Sequence, residues 1–322
     1  MKLKFGYDLT DLAVYVNEEK MPLLMKSVFS GETATSFEIQ EGIKYKDVLN
    51  YMDTEVIFRS NAGCGTFTAT GDTTFTQKEI SVDGFIQESA FCPNDLENYW
   101  TRAGLSSGQY YDTMAFQTEW VGHYSNLVNK EIELMLWRGN KSTGSGNLAL
   151  INGLIAAIAV TTDGTAVDAN LTGGGYSQVT SITAANIVAS LEQMINVLPT
   201  NVEGAEDLMF SVGWDSFKKL LSALKSLNNF FYDGVNANPY KSGEVYLPTF
   251  GIKVKAFRGL DGTNRMFLHR ASNFVIGTDL ANDWENFQVW YEQKDDKILT
   301  RLKAKLGAQV KFSDEVVQYT NK

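Results

Sequence analysis

The sequence predicts an α+β fold, and three observations carry that prediction. Residues 45–88 are crowded with Thr, Phe, Val and Ile, the composition of strands. One unbroken helical stripe runs from Asp112 to Arg138. The last ~75 residues alternate apolar with polar side chains, which marks a sheet with one wet face.

Taken in order, the first ~45 residues mix charges and single apolar residues without a sustained period. They read as an extended arm with a short helix near Leu12 to Glu19. The strand-rich stretch follows, with runs flanking SNAGCG and a second turn at Thr70-Gly71-Asp72, so a long two-stranded excursion is expected over about Glu55 to Ile86. Two paired strands alone bury too little to be stable. The excursion therefore needs something to lie on, and another subunit would serve.

From Asp112 to Arg138 there is no proline and one glycine, Gly122. Phe116, Trp120, Tyr124, Leu127, Val128, Ile132 and Met135 fall at helical spacing. Asp112 is a suitable N-cap, and Gly139 follows the last residue. Such a helix spans roughly 40 Å. After the Gly/Ser-rich GNKSTGSGN come a buried stretch, Leu148 to Val160, and a helix, Thr183 to Leu198, stopped by Pro199. A short buried strand, Leu208 to Val212, then leads to Asp215 as a second N-cap and a helix Ser216 to Leu227. Residues Asn228 to Glu244 form a long aromatic loop, and ordered loops of that length usually contact something. The strands GIKVKAF, RMFLH, NFVIG, FQVWYEQ, KILTRLKAKLGAQVKF and EVVQYT finish the chain.

Composition narrows the function. The chain has 322 residues, 44% of them hydrophobic, enough for a substantial core and for either two lobes or a domain with a large insertion. A net charge of −10 argues against a reader of nucleic acid, which needs clustered Lys and Arg to release counterions. It suits a wall that holds phosphate without gripping it. Cys64 and Cys92 lack C-x-x-C spacing and read as ordinary thiols. Neither a signal peptide nor a membrane span is legible, and the longest apolar run, Leu148 to Val160, is too short to cross a bilayer.

The sequence carries no motif of a catalytic, cofactor-binding or metal site. Gly104-Leu-Ser-Ser-Gly108 fits the G-x-S-x-G pattern but lacks the apolar strand that a nucleophile elbow requires before it. His123 and His269 stand far apart and outside any H-E-x-x-H arrangement. The glycine clusters Gly63-Cys64-Gly65 and Gly173-Gly174-Gly175 lack the Lys-Ser/Thr of phosphate cradles. Asp295-Asp296 and the pair Glu131 and Glu133 read as solvated charges rather than an acid/base pair.

The order of elements (arm, long hairpin, long helix, α/β lobe, C-terminal sheet) resembles the major capsid proteins of tailed bacteriophages. That fold is shared with encapsulins and herpesvirus capsid floors. The resemblance rests on element order over nearly the whole chain. Its most specific part is NFVIGTDLANDWENFQVWYEQKDDKILTRLKAKLGAQVKFSDEVVQY. It implies an N-terminal arm at 1–44, an extended loop at 45–88, a peripheral domain at 89–150 and 270–322 containing the spine helix 112–138, and an axial domain at 151–269. It further implies a structural subunit, not an enzyme and without cofactor, that assembles with itself into hexameric and pentameric capsomers around double-stranded DNA. Portal, scaffolding and decoration proteins would be its partners, with no membrane involved. Its location would be the virion capsid, after synthesis in the host bacterial cytoplasm.

Subunit contacts are expected at Val56, Phe58, Phe67 and Phe75 of the extended loop, and at Phe231, Tyr232 and Tyr240 near a capsomer centre. Glu119, Glu131 and Glu133 would keep the inward face of the spine helix acidic, unless they are merely solvated or paired. Many relatives carry a cleaved N-terminal extension. None is visible, so assembly without such a cleavage, or with a separate scaffold, is expected. Some relatives crosslink a loop lysine to a neighbour; Lys78 is available, but nothing singles out its partner and no bond is predicted. Two alternatives stand beside this reading. One is an encapsulin-like nanocompartment shell, whose usual cargo-holding N-terminal helix the arm lacks; the other is a serine hydrolase using Ser106 with a histidine.

Overall fold

The computed structural model describes residues 31–60, 71–92, 113–159, 165–172, 178–227, 239–279, 288–295 and 297–320. The expected helix at Leu12 to Glu19 lies outside them, as do the G-x-S-x-G pattern, Cys64, Asp112 and the Gly173–Gly175 cluster.

The elements follow the chain as β1 (Glu38–Gln40), β2 (Lys46–Thr54), β3 (Thr73–Ser81), β4 (Asp83–Phe91), α1 (Thr113–Arg138), α2 (Leu154–Ile158), β5 (Val167–Asp168), α3 (Ala169–Thr172), α4 (Ile187–Asn196), β6 (Leu208–Gly213), α5 (Trp214–Ser226), α6 (Pro239–Ser242), β7 (Glu244–Tyr246), β8 (Lys253–Phe257), β9 (Met266–Arg270), β10 (Phe274–Thr278), β11 (Gln288–Glu292), β12 (Lys297–Val310) and β13 (Val317–Tyr319). The fold is α+β.

Strand β12 organises the first sheet. Its 14 residues pair with β4 along one side, and with β11 and β10 end to end along the other; β1 adds to β10 in parallel. Leu302, Ala304, Leu306, Ala308 and Val310 alternate onto one face and are buried. They pack with Ile132, Met135, Leu136 and Trp137 from the C-terminal half of α1. The even spacing of these apolar residues, with Arg301, Lys303 and Lys305 between them, puts a wet face opposite the core.

The second sheet runs β5-β13-β9-β6-β8-β7. Strand β6 is buried along its whole length between parallel β8 and antiparallel β9, which explains its unbroken apolar run. Helices α4 and α5 cover this sheet through Ile187, Leu191, Met194, Phe217, Leu220 and Leu224. The final strand, β13, leaves the first sheet's neighbourhood and pairs with β9 in the second.

Residues 31–37 form a turn wedged between the two sheets and α1. Phe37 is buried, with its ring centroid 5.4 Å from that of Phe257, 5.2 Å from Phe274 and 5.9 Å from Trp137. Glu32 accepts from the backbone N–H of Arg258 at 2.8 Å and from Trp214 Nε1 at 3.2 Å, reaching the second sheet. Aromatic contacts of this kind add about 1 kcal/mol each beyond the area buried.

Several expectations are corrected. Glu133 is not solvated: only 4% of it is exposed, and Thr33 donates to it. Glu131 is partly buried and accepts from Asn147 Nδ2 at 2.9 Å, while Glu119's side chain lies outside the described ones. Asp215 is not a cap. Gly213 holds the N-cap position of α5, and the Trp214 N–H goes instead to Asp261 Oδ1 at 2.5 Å. Leu227, expected on the apolar face of that helix, is more than half exposed.

Candidate subunit-contact surface

The hairpin expected near Glu55 to Ile86 exists, with different limits. Its strands are β2 and β3, in register from Lys46↔Ser81 to Thr54↔Thr73. Beyond Val82 the chain turns directly into β4, which belongs to the first sheet. The densest apolar run, Val56-Ile57-Phe58, is not strand but lies past the end of β2. Of the expected turn Thr70-Gly71-Asp72, Thr70 lies outside the described residues; Gly71 has a φ of +88°, and a side chain there would overlap the Glu55 carbonyl.

The root of the hairpin is fixed by Ile80 and Val82, which cluster with Ile43 and Val275 on the wet side of the first sheet. Burial of each such side chain contributes roughly 2 kcal/mol. Gly307 in β12 lies directly under the Ser81 carbonyl, where no side chain fits. Gln309 Nε2 donates to the Glu79 carbonyl at 2.7 Å, and Lys78 Nζ to Ser313 Oγ at 3.0 Å. Lys78 is therefore buried rather than available, which corrects the expectation drawn for it.

Away from the root the hairpin is bare. Period-two alternation puts Lys46, Val48, Asn50 and Met52 on one face with Phe75, Gln77 and Glu79. At the root this face carries an ion pair, Lys46 to Glu79, at 2.6 Å. Towards the distal end it turns apolar: Met52 stands opposite Phe75, which is 76% exposed, and Phe58 beyond them is 93% exposed. Val56 and Ile57 are exposed as well. Solvated single hydrophobes are ordinary, but several on one ribbon make it a candidate contact surface.

Of the residues expected at subunit contacts, Val56, Phe58 and Phe75 are each exposed on or just past the hairpin strands, while Phe67 lies outside the described residues. Tyr240 sits elsewhere, half exposed in α6 beside the edge of the second sheet, with its ring edge-on to Trp214 at 6.0 Å. Phe231 and Tyr232 lie outside the described residues. Met52 was missed, although the alternation Val48, Asn50, Met52 in KDVLNYMDT carries its signal.

No catalytic arrangement forms around the described histidine. His269 is fully buried; its Nδ1 donates to the Arg270 carbonyl at 2.8 Å, so its Nε2 accepts from Ser211 Oγ at 2.8 Å. Burial holds its pKa down at about 4. The ring lies flat on Phe274 at 3.8 Å, so this Ser–His pair is core, with no room for a substrate. The side chain of His123 lies outside the described ones. Among the described residues no three metal-binding side chains cluster, and no helix is long and apolar enough to cross a membrane.

No protein-family model and no curated protein matches the sequence. The solved structures do match. A chain of the satellite phage P4 procapsid superposes with a TM-score of 0.57 at 12% identity, over 95% of this chain and 90% of that one. A chain of the cyanophage A-1(L) capsid gives 0.55 at 15% identity, over 92% and 93%. The capsid of Ralstonia phage GP4 gives 0.53 at 11% identity, over 91% and 89%. With the long helix, the projecting hairpin and the two sheets in this order, the chain has the fold of phage major capsid proteins.

Proposed function

We propose that the chain is the structural subunit of an icosahedral tailed-phage capsid. It self-assembles into hexamers and pentamers that enclose double-stranded DNA, and it catalyses nothing. The supporting observation is the hairpin, an anchored ribbon whose distal end leaves Met52, Val56, Phe58 and Phe75 largely exposed. On a fold found in phage shells, that end needs a neighbour. Tyr240 is the second proposed contact, facing the capsomer centre as part of an axial domain at 151–269. The arm at 1–44, the loop at 45–88 and the peripheral domain complete the subunit. Portal, scaffolding and decoration proteins of the same phage are its further partners, and the host cytoplasm is where it assembles. The net charge of −10 suits a container that does not bind its contents tightly. The higher-scoring structural matches are phage shells, which favours a genome container over a nanocompartment.

The test is expression followed by negative-stain imaging. The unaltered chain should form closed shells, and the double variant Phe58→Ser, Phe75→Ser should remain a folded monomer with unchanged melting. Shells at normal yield from the double variant would remove the hairpin from the assembly, and particles of no kind from the unaltered chain would overturn the capsid reading.

A further inference from the structure

Residues 31–37 touch both sheets and belong to neither. Their backbone hydrogen bonds are internal: the Thr35 N–H donates to the Gly31 carbonyl at 3.1 Å, and the Phe37 N–H to the Thr33 carbonyl at 3.2 Å. Among the described residues no backbone-to-backbone hydrogen bond joins this turn to the rest of the chain until β1 begins at Glu38. A segment that satisfies its own backbone can lift away as a unit, because the move breaks no backbone pair. Side chains hold it down instead. Ala34 and Phe37 sit in the core, Glu32 reaches Trp214 and Arg258 beside the second sheet, and Thr33 bonds to Glu133 of α1.

Glu133 is the member of this set whose charge can change. The charged groups that face it leave an ionised carboxylate poorly matched. Glu32, on the turn, has the same sign, and Lys255 of β8 is held by Glu244 at 3.0 Å. Arg258 lies 3.5 Å from Glu32, and Arg138 Nε donates to the Gly259 carbonyl at 2.7 Å. His269, whose ring lies 5.5 Å from that of Phe37, is kept neutral down to about pH 4 by its burial. Beside Glu133 there is also an acceptor that lacks a donor. Asn129 Oδ1 is buried without a partner, and a first side-chain carbon on Gly31 would lie 3.1 Å from it and 2.2 Å from Glu133 Oε1. A protonated Glu133 supplies a donor there, whereas an ionised one sets its charge against the lone pairs of the amide oxygen. We propose that residues 31–37 form a releasable strap: with Glu133 protonated it ties α1 and the first sheet to the second, and with Glu133 ionised it lifts out while both sheets stay folded. Its departure uncovers the rings of Trp137, Phe257 and Phe274 and removes the Glu32 link, so the surrounding pH sets how tightly the two sheets are coupled. The strap does not depend on whether the chain forms shells.

Thiol accessibility in the full-length chain tests it. With Cys64→Ser and Cys92→Ser as background, Ala34→Cys places a single thiol on the buried side of the strap. Its rate of reaction with a dipyridyl disulfide is measured with and without Glu133→Gln at each pH, so that the chemistry of the thiol itself cancels. Glu133→Gln should keep the strap down throughout, because an amide offers an acceptor to Thr33 and a permanent donor to Asn129. The ratio of the two rates should rise at least about threefold between pH ~5 and ~8. A flat ratio would overturn the proposal. Val212→Cys, in the same background, reports opening of the core between the second sheet and its helices. Each thiol's rate is normalised to its rate in denaturant, and Ala34→Cys should then react at least about tenfold faster than Val212→Cys. Equal rates would mean that the turn leaves only when the whole chain unfolds, which also overturns the proposal. Should Ala34→Cys prevent folding, amide exchange of Thr35 and Phe37 against that of Val212, in the unaltered chain and in Glu133→Gln at matched pH, gives the same two readings.

Discussion

Thr33 donates both its backbone N–H, at 3.0 Å, and its hydroxyl to the carboxylate of Glu133 near the C-terminal end of α1. Trp137 Nε1 donates to the same hydroxyl oxygen at 2.8 Å. The turn at 31–37 is thus held to the helix by a carboxylate that is almost fully buried, and it carries Phe37 into the aromatic core.

Burial pushes the Glu133 carboxyl above its ordinary pKa, against the two hydrogen bonds from Thr33 that favour the charge. A folded pKa above the unfolded one contributes stability that is complete below the unfolded value and lost as pH rises through the folded one. Glu133→Gln keeps an acceptor for the Thr33 N–H and removes the titration. Relative to the variant, the unaltered chain should lose stability as pH is raised above the ordinary Glu value of about 4.3. Urea midpoints of the two proteins at a series of pH values check this; parallel curves would show that Glu133 does not titrate in the fold. Thr33→Val should cost about 2 kcal/mol at every pH, because it strands both Glu133 and Trp137 Nε1.

His269 works in the opposite direction. Its folded pKa of about 4 lies below the unfolded value, so its contribution is present above the unfolded pKa and disappears as pH falls through the folded one. Between pH ~6.5 and ~4 the loss should approach 3 kcal/mol on an order-of-magnitude basis, using about 1.4 kcal/mol per unit. His269→Gln should be less stable at neutral pH and nearly flat across that window. A variant that keeps the acid-side slope would assign it to other groups.

Gly307→Ala puts a methyl into the Ser81 carbonyl at the hairpin root. It should cost about 1–3 kcal/mol and loosen the hairpin, seen as faster amide exchange in β3. Gly84→Ala, on the same face but with only the Lys305 stem at an ordinary 3.6 Å, should change melting by less than ~0.5 kcal/mol. Equal effects from the two would mean that the root adjusts freely.

Lys78 should resist amine-reactive reagents because reaction requires the hairpin root to open. Its labelling in the native monomer should be at least about tenfold slower than that of Lys303, read by mass spectrometry after brief exposure. Equal rates would contradict the burial of Lys78.

Wherever periodicity reports a local environment, the sequence was legible. The alternation of Leu302, Ala304 and Leu306 gave β12 its buried face, and the stripe ending at Ile132 and Met135 gave α1 its contact with the core. The failures share one cause, a partner distant in sequence. Glu133 reads as a solvated helix charge because Thr33, which buries it, lies 100 residues earlier. Asp215 reads as a cap because the residue that takes the Trp214 N–H, Asp261, is not local. The hairpin strands were set too far out because apolar density peaks at Val56 to Phe58, and in a single copy those residues are left bare. The exposed end of the hairpin shows in the sequence as apolar density, whereas Lys303 and Ile86 become neighbours only once β4 pairs with β12.

The wedge at 31–37 also fixes an order of events during synthesis. Phe37 is among the first described residues to leave the ribosome, yet the rings that enclose it, Trp137, Phe257 and Phe274, emerge long afterwards. Until then the early segment has no seat, and the late core keeps an open slot of aromatic surface. Contacts this distant make folding slow, and they leave the nascent chain with two apolar surfaces to protect from other chains. The final closure of the body therefore waits on almost the entire chain, and a ribosome stalled before Phe274 releases a product that cannot complete either sheet.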